Sequence, residues 1–75
     1  MNAMTLKDLK PGDEGKVVSI GEKGPARRRI MEMGVTPGTM VKVIKVAPLG
    51  DPIEVNIRGY ELSLRKEEAM RIVVE

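Results

Sequence analysis

The chain has 75 residues, with 13 Lys and Arg against 11 Asp and Glu, a net charge of +2, no Cys, no His and a single aromatic, Tyr60. Without cysteine there is no disulfide and no thiolate nucleophile, and without histidine the commonest metal ligand and general base are missing. The near-balanced charge and the lack of stacking aromatics count against a nucleic-acid binder.

A chain of this length makes one small domain, residues 1–75, with residues 1–4 expected to be disordered. The first 45 residues carry nine basic against five acidic side chains, and the remainder carry four against six. No apolar run is long enough to span a bilayer, and the N-terminus lacks a signal-peptide apolar stretch, so the expectation is a soluble, cytoplasmic protein with no membrane insertion. With Phe and Trp absent, the core must be built from Val, Ile, Leu and Met.

In chain order, Thr5 followed by Asp8 resembles a weak capping box, predicting a single helical turn whose Leu6 and Leu9 point to the core. Pro11-Gly12 makes a turn. The stretch from Glu14 to Ile20 reads as a strand with Val18 and Ile20 inward. After a loop, Ala26, Ile30 and Met33 fall on one face of a helix of about two turns. Gly34 stands where a helix C′ residue belongs, with Val35 folding back.

Val35-Thr36-Pro37-Gly38 then repeats Leu9-Lys10-Pro11-Gly12, and Lys42-Val43-Ile44 repeats Lys16-Val17-Val18 at the same offset. The simplest reading is two strands entering one barrel through similar turns. The alternation in Met40 to Val46 slips between Val43 and Ile44, which calls for a bulge or a bend. Ala47 to Pro52 is a rigid loop with Leu49 at its tip, either a plug over the barrel end or a contact point. Ile53, Val55 and Ile57 alternate inward, Arg58-Gly59 is a tight hairpin turn, and Tyr60, Leu62 and Leu64 return inward. A polar turn with helical potential, Arg65 to Met70, leads into a closing strand. The expected fold is mainly β, a small closed barrel of about five strands with one or two short helices.

Arg27, Arg28 and Arg29 are the conspicuous charges. The helical stripe puts Arg27 and Arg28 on the wet face, with Glu32 one turn beyond Arg28, and Arg29 nearer the core edge. All three sit toward the helix N-terminus, where the helix dipole disfavours cations, so they do not serve the helix. A solvated face, a protein contact and a nucleic-acid contact are the three readings. Met31 lies off the core stripe and suits an adaptable contact. No phosphate-loop pattern occurs. Glu67-Glu68 and Gly50-Asp51-Pro52 read as turn chemistry, with too few carboxylates for a hard-cation site.

Taken together, Leu9 to Ile20, Arg29-Ile30-Met31-Glu32-Met33-Gly34, Pro37-Gly38, Ala47 to Pro52 and the tail from Leu62 to Ile72 resemble the FeoA family of ferrous-iron transport accessory proteins, over about Leu6 to Val74. Ile30 stands where the family more often has Leu. The resemblance implies an SH3-like β-barrel and a cytosolic, non-enzymatic protein without cofactor or catalytic residue. Its implied partner is FeoB, the membrane permease with a cytosolic GTPase domain. A similar domain ends the iron-dependent repressors, which makes a metal-linked regulatory domain the alternative. Arg27, Arg28, Met31 and Leu49 are the candidate partner-binding residues. An arginine supplied in trans to the GTPase is a second reading of the same side chains. A nucleic-acid-binding barrel is a third, and a weak homo-oligomer remains compatible. A direct iron site would have to use Asp, Glu and backbone oxygens alone.

Overall fold

The computed structural model describes residues 4–75. Its elements are β1 (Met4–Thr5), a 3-10 turn (Leu6–Asp8), β2 (Glu14–Ile20), α1 (Pro25–Glu32), β3 (Met40–Val46), β4 (Ile53–Ile57), β5 (Tyr60–Leu64), α2 (Lys66–Ala69) and β6 (Ile72–Val74). The strands form one antiparallel sheet in the order β1-β6-β2-β3-β4-β5. The sheet is barrel-like but not closed. Among the described residues no ladder joins β1 to β5, where the sequence predicts closure. The extra strand is β1, in which Met4 pairs with Val74, within a stretch expected to be disordered. Residues 1–3 lie outside the described residues.

The core is aliphatic and continuous. Leu6, Val17, Ile20, Ile30, Val35, Val41, Val43, Val55, Ile57, Leu64 and Ile72 are fully buried. Methionine contributes less than expected, since Met31 and Met33 only pack against this cluster and Met4, Met40 and Met70 are exposed.

The repeat seen in the sequence is a repeat in space. Gly12 and Gly38 both have φ 93°. Gly12 N–H donates to the Val43 carbonyl at 2.8 Å, and Gly38 N–H donates to the Val17 carbonyl at 2.7 Å. Val43 N–H donates to Asp13 O at 2.9 Å, and Val17 N–H to Thr39 O at 2.8 Å. Each turn thus caps the strand launched by the other, about a pseudo-twofold axis through the Gly15–Val41 pair. Both strands also bulge at matching positions, β2 between Val17 and Ser19 and β3 between Val43 and Lys45.

The two bulges explain one right and one wrong expectation. The slip read in β3 is a bulge. The same device in β2 was not legible, and it buries Val17 and exposes Val18 at 47%. Ile53, Val55 and Ile57 face inward as expected. The β4–β5 connection is a two-residue turn with positive φ at both Arg58 and Gly59, the pattern that matches strand twist. In β5, Leu64 is buried but Tyr60 is 45% exposed, against expectation.

Candidate functional site

Helix α1 is fixed at both ends. Pro25 occupies its first position, where a missing N–H costs nothing. Gly34 follows the C-cap Met33 with φ 99°. Gly34 N–H donates to Met31 O at 3.0 Å and Val35 N–H to Ile30 O at 3.4 Å, the paired bonds of a Schellman termination. The Tyr60 hydroxyl donates to the Met33 carbonyl at 3.1 Å, tying the helix end to β5. A Cβ on Gly34 would collide with that hydroxyl. Ile30, fully buried, is the anchor that fixes which faces α1 presents.

With Ile30 inward, α1 has two flanks. On one, Lys23, Gly24, Arg27, Arg28, Met31 and Glu32 line a groove of about 370 Å³. Arg27 is half-buried and its Nε donates to the Ile20 carbonyl at 3.0 Å, so it is pinned to the end of β2 rather than free in water as expected. Arg28 is exposed. The expected pairing of Arg28 with Glu32 is not among the salt bridges, which are Arg29–Glu68 and Lys45–Glu54 among the described residues. Met31 is half-buried against the core and floors the groove. Three cations and one carboxylate line this flank.

On the other flank, Ala26, Arg29, Arg65, Glu67, Glu68 and Arg71 line a cleft of about 330 Å³. Here three arginines meet two carboxylates, and one pair forms within the cleft. Glu68 is buried, with one oxygen accepting the Arg65 N–H at 2.8 Å and the other 3.8 Å from Arg29 Nε. Glu68 therefore caps α2, in keeping with the turn chemistry expected of it, and Arg29 leans on that cap.

Leu49 does not join the groove. It is 91% exposed, which rules out the plug. Its loop is held by Ala47 N–H to Pro52 O at 3.1 Å, Gly50 N–H to Ala47 O at 2.8 Å, and Lys66 N–H to Asp51 Oδ1 at 3.0 Å. An apolar side chain is thus carried on a braced turn beside α2. Of the four residues singled out in the sequence, Arg27, Arg28 and Met31 share one groove and Leu49 stands apart. Lys23 and Gly24 were missed because they belong to a loop without periodicity.

No group of three His, Cys, Asp or Glu side chains that could hold a metal ion occurs among the described residues. No helix there is long and apolar enough to cross a membrane.

Comparison with known proteins places this geometry. The FeoA domain model matches residues 4–75. A Porphyromonas gingivalis protein, the Fe(2+) transport protein A/Fe(2+) transporter FeoB fusion protein, is 42% identical over 72 residues, which cover 96% of this chain and 8% of that protein. The chain thus spans a small part of that relative's length. The solution structure of an FeoA-like protein from Clostridium acetobutylicum superimposes with a TM-score of 0.91 at 41% identity, covering 100% of this chain and 87% of that one. The Stenotrophomonas maltophilia FeoA complexed with zinc, described as an SH3 domain protein and a candidate ferrous iron transport activating factor, gives a TM-score of 0.84 at 31% identity, covering 97% of this chain and 91% of that one. The described donor set of this chain, without His or Cys, does not build a zinc site of the usual kind.

Proposed function

This chain belongs to the FeoA domain family, and on that premise we propose that it is a non-enzymatic accessory module of ferrous iron transport. It docks, in the cytoplasm, on the cytosolic region of a FeoB-type permease. The observation that carries the partner is the P. gingivalis fusion, in which the matching region and a FeoB transporter are one polypeptide. Covalent linkage holds two modules at high effective concentration, which is useful where they work as one. The surface is the flank of α1 with Arg27, Arg28 and Met31, with Leu49 as a separate apolar contact.

Several properties support a contact surface over an active site. The groove lacks a nucleophile–base pair. Its cations are placed at a helix end where they cost rather than add stability. The fold is small, as suits a module that presents a surface.

Calorimetric titration against the isolated FeoB GTPase domain, with and without a GTP analogue, tests the reading. Saturable binding that weakens in the Arg28→Ala variant supports docking through this flank. Unchanged binding in that variant moves the contact elsewhere. The same proteins in a GTP hydrolysis assay separate docking from arginine-assisted catalysis. Loss of stimulation with binding retained would mark Arg28 as acting in the GTPase site.

A further inference from the structure

The two flanks of α1 carry similar numbers of arginines but treat them differently. On the α2 side, three arginines, Arg29, Arg65 and Arg71, face two carboxylates, and Arg29 pairs with the buried Glu68. On the other side, Lys23, Arg27 and Arg28 face one carboxylate, Glu32, and none of the three has an ion pair among the described residues. Arg27 is also pre-organised. Its Nε is fixed to the Ile20 carbonyl, and its terminal nitrogens make no protein hydrogen bond among the described residues. A pinned guanidinium loses little further entropy on engaging a carboxylate, and carboxylate is the partner its fork fits bidentately. Between these cations lies Met31, a flexible apolar side chain half sunk into the core.

From this we infer that the Lys23–Arg27–Arg28–Met31 groove takes an acidic peptide segment with an apolar side chain among its carboxylates. The inference rests on the docking reading above and specifies the chemistry of what docks. The carboxylates sit on Arg27, Arg28 and Lys23, and the apolar side chain covers Met31. Lys23, Arg27 and Arg28 outnumber the one carboxylate, Glu32, and so disfavour a basic segment in the same place. Nucleic acid fits less well. Its bases would need stacking partners, and the one aromatic, Tyr60, is tied to the Met33 carbonyl at the far end of α1.

The experiment is a titration of the isotope-labelled full chain, followed by amide NMR, with a short capped peptide of Asp and Glu carrying two leucines. A peptide with serine in place of leucine and an oligothymidylate are titrated alongside. The expected result is shifts centred on residues 23–32 and weakening as salt is raised. The serine peptide should bind several-fold more weakly, and Lys23→Glu/Arg28→Glu should weaken binding at least tenfold. Both residues are exposed, so the amide spectrum of the unbound variant should stay folded. No shifts, shifts on another face, or full binding by the variant would overturn the inference, as would oligothymidylate binding more tightly than the peptide. The FeoB GTPase domain is titrated in parallel. If it binds and the peptide does not, the groove chemistry is wrong and docking stands. If the peptide binds and the domain does not, the groove stands and the partner is wrong.

Discussion

Lys10-Pro11-Gly12 leading into β2 and Thr36-Pro37-Gly38 leading into β3 share turn geometry, cross-bonding and a bulge. What precedes them differs. The first follows a 3-10 turn of three residues, Leu6–Asp8, closed by Thr5 N–H donating to Asp8 Oδ2 at 2.9 Å. The second follows α1, eight residues with its own proline start and glycine stop. Leu9 and Val35 are buried at equivalent points, so both leads feed the core. Scaffold therefore explains the shared part, and α1 is the surplus. Its inner face is used by Ile30 and its outer flank is left with uncompensated cations. On the docking reading proposed above, the part of the chain that the repeat does not require is where the interaction surface is built.

The severest way to break this difference is Ile30→Ala. It removes the side chain that seats α1 and should cost about 2–5 kcal/mol, read by urea unfolding. Binding to FeoB should fall with it, since the helix that carries the groove is no longer seated on the core. Gly34→Ala comes next. The left-handed backbone and the clash with the Tyr60 hydroxyl should together cost roughly 2 kcal/mol. Tyr60→Phe in the same background should recover only part of that, because the strained φ remains.

The repeat itself is sharpened by a matched pair, Gly12→Ala and Gly38→Ala. An added Cβ meets nothing within 4 Å at either site, so each substitution reports backbone strain alone. Each should cost about 1–2 kcal/mol, and the two should agree within about 0.5 kcal/mol. A clear inequality would mean that the turns are not mechanically equivalent. The smallest stability effect belongs to Leu49→Ser. With the side chain in solvent, the melting temperature should barely move. A weakened FeoB titration would then report contact alone.

Much of this was readable in advance because it is local. The Pro-Gly turns, the Arg58-Gly59 hairpin, the inward alternation of β4 and the glycine stop of α1 depend on residues a few positions apart. What escaped is set by pairing between distant segments. The bulge at Val18 comes from its register against β6, and two adjacent valines give no hint of which one turns inward. Strand β1, Met4–Thr5, is too short to show a period and exists because β6 offers an edge. Tyr60 reads as an inward strand residue, yet its hydroxyl finds a carbonyl on α1. In the site, helical spacing was enough to place Arg27, Arg28 and Met31 on one flank. It could not show that Ile20 holds Arg27, or that Glu68 answers Arg29 and leaves the opposite flank charged.

The central claim is that α1's uncompensated flank, and not the scaffold around it, makes the contact. The most direct measurement is the affinity of the Lys23→Glu/Arg28→Glu variant for the FeoB cytosolic region, taken with its melting temperature. Affinity reduced at least tenfold at an unchanged melting temperature is the predicted result. Unchanged affinity in a folded variant would contradict it.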